Sequence, residues 1–329
     1  MVNNSRSFGV LGEDTTFFSN NVDFSNTVDD KKVYYLIGKS SLTIDSALCP
    51  DLGALVLVNC SGVTVQNLSL SNIYGGIHLV NAENSVVTNN TVTDSAGGVL
   101  LQFSNNCTIS KNIVIQTSYN DEALGIISNF GISVENSENI LVLENYVEQN
   151  EHESPLISML SSSNCTIAGN TLQNPLYYTF PIGIYLQSTN NTNINNNTQI
   201  GTNGTMDGIY LDRSLNNTVQ SNTFGKAGIR ITQQSNFNSI LENNFGGLYL
   251  YEGYFNNITD NMVHSDIGLT LFNGENNFIA RNVITSGERA IKLFNFNHNI
   301  FQKNVFLGVS YIEDWGSTVG DSVSTNVWL

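Results

Sequence analysis

From residue 53 to residue 304 one arrangement of apolar and polar positions keeps returning. GIHLVNAENSVVTNN (76–90), GVLLQFSNNCTISKN (98–112), GISVENSENILVLEN (131–145), GIYLQSTNNTNINNN (183–197), GIYLDRSLNNTVQSN (208–222), GLTLFNGENNFIARN (268–282) and AIKLFNFNHNIFQKN (290–304) share it. Each reads small, apolar, any, apolar, a polar turn, apolar at alternate positions, then Asn. With the small residue at position 0, position 1 runs from Ala54 and Ile77 to Leu269 and Ile291, and position 3 from Val56 and Leu79 to Leu271 and Leu293. Alternation with period 2 puts both columns on one face of a strand. A column that stays apolar through so many repeats is the interior of a solenoid.

The same frame sets Asn67, Asn90, Asn112, Asn145, Asn170, Asn197, Asn222, Asn261, Asn282 and Asn304 at position 14, and Asn243 joins after one inserted residue. Most steps between them match a coil of three short strands. The pattern therefore predicts an all-β, single-stranded right-handed parallel β-helix of about twelve coils of roughly 22 residues. Asn at position 14 suits left-handed turn geometry and a coil-to-coil amide ladder, a structural role. One domain over 1–329 is expected. Residues 1–48 form irregular opening coils, 49–309 regular coils, and 310–329 a terminal edge strand or cap. Longer steps leave room for loops near 117–129, 148–155, 174–181 and 199–206, where solenoids place function.

Composition narrows the function. Twelve Lys+Arg against 28 Asp+Glu give a net charge of −16. Nucleic acid needs clustered cations, so it is excluded as a partner, and anionic lipid surfaces are disfavoured. No apolar stretch reaches membrane-spanning length, so direct membrane insertion is not expected. Met1 runs straight into polar, strand-like sequence, which reads as an excerpt of a longer secreted protein whose signal peptide is not in this chain.

The stretches SNTVDDKKVYYLIGKSSLTID (25–45) and GALVLVNCSGVTVQNLSLSN (53–72) resemble the recurring opening segment of NosD-like and surface-antigen-like β-helix repeat proteins of methanogenic archaea and some bacteria. The resemblance covers essentially the whole chain. It implies a secreted envelope protein, extracellular at the cell surface, structural or adhesive in role. NosD's link to copper makes copper worth testing on this chain's own residues. His78, His152, His264 and His298 lie in different frames, Met159 is core, Met206 sits in a loop, and no His, Met or Cys pair has ligand spacing. No metal or other cofactor is expected.

Enzyme chemistry finds little support in motifs. There is no Gly-His-Gly, and Ala290-Ile291-Lys292 lacks the Arg of a hydrolase-like Arg-Ile-Lys. The nearest charged cluster is Asp207, Asp212 and Arg213, with Arg230 one coil later, and it reads as a solvated turn pair. Cys107 and Cys165 share position 9 two coils apart, too far to bond, and read as small core residues. Cys49 and Cys60 are a candidate disulfide. N-x-S/T triplets begin at Asn3, Asn59, Asn67, Asn89, Asn106, Asn164, Asn190, Asn196, Asn203, Asn216 and Asn257. Such triplets arise by chance in an Asn/Ser/Thr-rich repeat, and the loop residue Asn203 is the credible glycan acceptor.

One surface feature rises above this background. Outward position 2 reads Tyr185, Tyr210, Arg230, Tyr249, Thr270, Lys292, and position 4 beside it reads Gln187, Asp212, Thr232, Tyr251, Phe272, Phe294. Stacked aromatics on a flat sheet form a platform for sugar rings or a protein, although such ladders also simply stabilise strands. In the early coils position 2 holds Leu55 and Leu100, which predicts that the face is covered there. The leading expectation is a non-catalytic structural module of the cell envelope, in a surface layer, sheath or adhesin. Its partners are other envelope proteins or copies of itself. The alternatives are a carbohydrate-binding module using the aromatic face and a β-helix polysaccharide lyase or hydrolase.

Overall fold

The computed structural model describes residues 8–10, 12–73, 75–95, 97–116, 130–149, 154–174, 182–201, 207–285, 287, 289–308, 311–314 and 320–329. The loops anticipated at 117–129, most of 174–181 and 199–206, and the centre of 148–155 lie outside them, as do Asn3, Asn203, His152 and Met206. Where a single domain is expected, contacts divide the chain into two compact units. One is Met1–Thr166 with Asn170–Leu176, the other Ile167–Gly169 with Tyr177–Leu329.

In the first unit the long strands Lys31–Ile37, Leu52–Val58, Ile77–Val80, Gly97–Gln102, Phe130–Glu135 and Ile157–Leu160 pair in parallel in that order. A second sheet stacks Thr43–Ile44, Thr64–Gln66, Val86–Thr88, Thr108–Ser110 and Leu141–Leu143. A third stacks Ser69–Ser71, Thr91–Thr93, Ile113–Gln116, Tyr146–Gln149 and Thr171–Gln173. In the second unit the first sheet runs from Ile182–Gln187 through Asp207–Asp212, Gly228–Thr232, Leu248–Tyr251, Ile267–Phe272 and Arg289–Phe294 to Tyr311–Asp314. Each unit is a right-handed parallel β-helix, the hand that parallel crossovers adopt.

Stacking begins earlier and ends later than the repeat predicts. Lys31–Ile37 and Thr43–Ile44 already pair in register with the next coil, so 31–48 is not irregular. At the other end Tyr311–Asp314, Ser322–Ser324 and Val327–Trp328 make one more three-stranded coil, where an edge strand or cap is expected. The first regular coil also sits one residue out of the sequence frame. Leu55 pairs with Ile77 and Leu57 with Leu79, so Ala54 takes the small position and Val56, not Leu55, faces outward. The small position exists because the coil corner is tight there: a side chain on Gly98 would collide with the Gly131 carbonyl and the Val114 methyl.

The inner columns are fully buried, as at Ile132, Val134, Val142 and Val147 in the first unit and Ile209, Leu211, Val219 and Val263 in the second. Between them runs a buried amide ladder. In the first unit Asn90 Nδ2 donates to Asn112 Oδ1, Asn112 to Asn145 and Asn145 to Asn170, each at 3.0 Å. Each Oδ1 also accepts the backbone N–H of the preceding ladder residue, and each Nδ2 also donates to a carbonyl, as Asn112 does to Val87. The second unit repeats this from Asn197 through Asn222, Asn243, Asn261, Asn282 and Asn304 to Asn326. Every hydrogen-bonding group of a buried carboxamide is thereby used.

Two details of the ladder depart from expectation. The left-handed residue is the one before each ladder Asn, for example Asn89 (φ 55°), Lys111 (54°), Glu144 (55°) and Glu242 (55°). The ladder Asn is chosen for its amide and not for its turn tolerance. Asn67 is such a corner residue (φ 54°), and Leu68 fills the ladder slot beneath Asn90, donating its N–H to Asn90 Oδ1. The second unit holds a further ladder that the repeat does not reveal, Asn217, Asn238, Asn256, Asn277 and Asn299, ending on Asp321.

All four cysteines are free and buried, so Cys49 and Cys60 are not bonded, contrary to the sequence expectation. Cys60 Sγ instead points at the Val58 carbonyl, 3.4 Å away. Burial raises the Cys107 and Cys165 thiols to about 11, which suits inert core residues.

The outward face of the first unit is covered, as expected from its sequence. Tyr35, Val56, His78, Leu100, Ser133 and Ser158 share the outward column, and all are buried. A short 3-10 turn, Thr15–Phe18, capped by Asp14, brings Phe18 edge-on to His78 with ring centroids 5.5 Å apart. The Tyr35 hydroxyl donates to the Phe18 carbonyl. Beneath lies a connected polar chain: His78 Nε2 meets Gln102 Oε1 at 2.9 Å, Gln102 Nε2 donates to Glu135, and Ser133 joins Glu135 to Ser158.

Two stability predictions follow from this packing. Asn243→Leu removes the acceptor of two Asn222 N–H groups and should cost about 3 kcal/mol, read as a lower urea midpoint for the second unit. An unchanged midpoint contradicts the ladder's role. Burial lowers the His78 pKa to about 4, opposed by its Gln102 hydrogen bond. Between that value and the unfolded value near 6.5 only the unfolded chain takes up the proton. Stability from His78 is complete above about pH 6.5 and falls away as pH drops toward 4. Wild-type protein should lose on the order of 2 kcal/mol between about pH 7 and pH 5 that His78→Leu does not lose. Parallel acid limbs for the two proteins would overturn this.

Candidate functional site

The outward face of the second unit carries its candidate site. Strand pairing sets Tyr185 beside Tyr210, Tyr210 beside Arg230, Arg230 beside Tyr249, Tyr249 beside Thr270 and Thr270 beside Lys292. The parallel column sets Gln187, Asp212 and Thr232 together, then Tyr251, Phe272 and Phe294. All nine residues singled out from the sequence, Tyr185, Tyr210, Asp212, Arg230, Tyr249, Tyr251, Phe272, Lys292 and Phe294, therefore lie on one face in the predicted order. At about 4.8 Å per coil the face spans about 24 Å from Tyr185 to Lys292.

The rings contact one another from coil to coil. Tyr185 and Tyr210 have centroids 5.2 Å apart, Tyr249 and Phe272 5.9 Å, Phe272 and Phe294 5.6 Å, all tilted. The Arg230 guanidinium bridges the two groups, 5.4 Å from the Tyr210 ring and 5.7 Å from the Tyr249 ring. Its Nε approaches Asp207 Oδ2 at 2.9 Å, an ion pair whose N–H is not well aimed at the carboxylate. Lys292 Nζ stands 5.9 Å from the Phe272 ring. Tyr249 is the most exposed member at 36%.

Asp212 sits in the deepest part of the face. It is 3% exposed, which overturns the reading of Asp207 and Asp212 as a solvated turn pair. Its Oδ2 takes three donors: the Tyr185 hydroxyl and Gln187 Nε2 at 3.2 Å, and Arg213 Nη2 at 3.1 Å. Its Oδ1 has no hydrogen-bond partner among the described residues. A buried carboxylate oxygen without a donor is costly and points to a polar group that completes the site. Burial raises the Asp207 carboxyl, with Arg230 opposing, and burial reinforced by the Asp212 charge raises the Tyr185 phenol. The Tyr185 phenol therefore stays protonated and keeps its donor hydrogen.

Some features escaped the sequence reading. Arg289 pairs with Glu313 at 3.0 Å beside Lys292, linking strands whose repeat pattern had faded. Phe237 and Phe255 stack face to face, 5.1 Å apart and about half exposed, at left-handed corners where other coils use Asn. An αL phenylalanine is a signal in retrospect, but only once the corner is located.

The described histidines do not assemble a site. His78 is buried against Gln102, His298 occupies a left-handed corner, and among the described residues no three His, Cys, Asp or Glu converge as a metal site.

Comparison with known proteins places this geometry. Residues 119–249 match the family described as periplasmic copper-binding protein (NosD), and residues 8–172, half of the chain, match the right-handed β-helix region. Among the described residues no cluster of His, Cys, Asp or Glu forms the copper site that the NosD description implies, and His152 and Met206, within the matched stretch, lie outside them. No helix among the described residues is long and apolar enough to cross a membrane. No curated protein sequence matches the chain. The mannuronan C-5 epimerase A-module of Azotobacter vinelandii is similar in structure at 14% identity and TM-score 0.59, over 91% of both chains. A PL6 family polysaccharide lyase from Pseudopedobacter saltans is similar at 15% identity and TM-score 0.57, over 90% of this chain and 89% of that one. DFA-IIIase from Arthrobacter chlorophenolicus, solved in complex with GF2, is similar at 12% identity and TM-score 0.51, over 84% and 72%. At such identities these likenesses carry the fold alone, and the family matches carry the assignment: the chain belongs to the right-handed parallel β-helix family and is NosD-like.

Proposed function

We propose that the second unit recognises a carbohydrate chain along its outward face. The observation that carries this reading is the column of aromatic rings, interleaved with Arg230, beside a buried Asp212 that holds the Tyr185 hydroxyl, Gln187 and Arg213 in place. Aromatic rings suit the apolar faces of sugars. Charges on the face pair with each other, Asp207 with Arg230, Asp212 with Arg213 and Arg289 with Glu313. The whole chain carries −16. An uncharged, hydroxyl-rich polysaccharide is therefore favoured over a polyanion. Two of the structural neighbours are described as a mannuronan epimerase and a polysaccharide lyase, which supports carbohydrate as the class of ligand without naming it.

A structural envelope module is the second reading. It is favoured by the rings and guanidinium already packing on one another, which by itself stabilises stacked strands.

Calorimetric titration with neutral and uronate oligosaccharides separates the readings. The proposal expects binding of neutral chains. Two lost stacking contacts of about 1 kcal/mol each should weaken it at least tenfold in Tyr210→Ala with Tyr249→Ala. Asp212→Asn should weaken binding while the coil pairing, followed by circular dichroism, stays intact. Absence of binding to any glycan, with ordered assemblies in light scattering, would instead support the structural reading. New reducing ends or unsaturated products in the same mixtures would make the face catalytic.

A further inference from the structure

The N-x-S/T triplets are not equivalent once folded. At the corners before the second and third strands of a coil, the first residue is left-handed and exposed. The next points inward, and the third opens a strand with its side chain outward. Asn106-Cys107-Thr108 shows the arrangement: Asn106 is exposed with φ 53°, Cys107 is buried, and Thr108 begins the strand Thr108–Ser110 half-buried. Asn164-Cys165-Thr166 (φ 55°) and Asn216-Asn217-Thr218 (φ 55°) repeat it, and Asn67-Leu68-Ser69 (φ 54°), Asn89-Asn90-Thr91 (φ 55°) and Asn196-Asn197-Thr198 (φ 53°) do so at the other corner. In these triplets the asparagine is exposed at the corner and the Ser or Thr side chain lies on the outer side of the strand, half-buried or exposed.

Two other triplets are built the opposite way. In Asn190-Asn191-Thr192 the Thr192 side chain points inward with no exposure, and its hydroxyl donates to the Asn190 carbonyl. Asn190 Oδ1 is itself held by the Leu215 N–H at 2.8 Å. In Asn257-Ile258-Thr259 the asparagine lies within the strand Asn257–Thr259 with its Oδ1 buried, and Thr259 is 2% exposed. In the first unit the Asn106 and Asn164 corners are separated by a coil whose corner, Asn139, is followed by Ile140 and Leu141 and so forms no triplet. That spacing of about 9.6 Å leaves room for a bulky substituent on each.

We infer that the corner asparagines Asn67, Asn89, Asn106, Asn164, Asn196 and Asn216 are acceptors of N-linked glycans, and that Asn190 and Asn257 are not. The donor would be an oligosaccharide linked to a polyprenyl diphosphate. The asparagine Nδ2 bonds to the anomeric carbon, the bond from that carbon to the phosphate oxygen breaks, and polyprenyl diphosphate leaves. The amide proton passes to the transferring enzyme and thence to solvent. Turn chemistry alone also favours Asn at a left-handed corner and Thr at a strand start, so the motif by itself does not decide between acceptor and by-product. Accessibility of the folded triplet does.

The experiment uses the folded full chain, an N-oligosaccharyltransferase, a polyprenyl-diphosphate oligosaccharide and peptide mapping by mass spectrometry, with a short acceptor peptide as control. The inference expects a one-oligosaccharide mass shift at Asn67, Asn89, Asn106, Asn164, Asn196 and Asn216, and none at Asn190 and Asn257. Urea-unfolded chain should gain the shift at all eight. Thr108→Val should abolish it at Asn106 and leave Asn164 unchanged. Equal modification of Asn190 and Asn106 in folded protein overturns the geometric argument. A folded chain that stays unmodified while the control peptide reacts overturns the assignment of acceptors.

Discussion

A buried carboxamide has one acceptor oxygen and two donor hydrogens to satisfy, and this chain satisfies them by placing the same residue at the same depth in successive coils. Asn112 depends on Asn145, and Asn222 on Asn243, for the acceptor of both a side-chain and a backbone N–H. A coil that slipped by one residue would withdraw its carboxamide and strand those donors, at about 1–3 kcal/mol each. Apolar burial drives the coils together but is indifferent to small slips. The ladder is not, because hydrogen bonds are directional and short. Register follows from it.

Fixed register is what makes the outward face a surface with a pattern. Tyr185, Tyr210, Arg230 and Tyr249 come from strands separated by 19 to 25 residues of sequence, yet adjoin because Ile184, Ile209, Ile229 and Leu248 are aligned behind them. The ring contacts and the guanidinium between Tyr210 and Tyr249 need no loop to hold them. The same columns in the first unit serve differently. There Phe18 seals His78, and a chain of polar side chains takes up the hydrogen bonds that solvent would otherwise provide. One repeat thus yields a closed face in one unit, where the Thr15–Phe18 turn packs on the outward residues, and an open aromatic face in the other.

Much of this was legible in the sequence, for a physical reason in each case. Period-2 alternation locates inward columns wherever polar residues interrupt them, so the outward order from Tyr185 to Phe294 could be read directly. It failed in Leu52–Val58, where every residue is buried and alternation offers no choice between Gly53 and Ala54 as the small position. The ladder at position 14 stood out because its flanking residues vary. The one from Asn217 to Asn299 did not, because most of its members sit in Asn-rich runs that read as turns. The burial of Asp212 was hidden for a different reason. An aspartate at a strand end is ordinarily solvated, and nothing local shows that Tyr185, Gln187 and Arg213 converge on it.

The dependence of register on the ladder is tested most directly by native-state hydrogen exchange at single-residue resolution. The backbone amides of Asn112, Asn145, Asn222 and Asn243, which donate to ladder oxygens, should exchange only when their whole unit unfolds. Their rates should then follow denaturant with the slope of global unfolding. Exchange of these amides at the denaturant-independent rate of the exposed corners, while the inward valines and isoleucines stay protected, would show that apolar packing alone sets the register and would contradict the account.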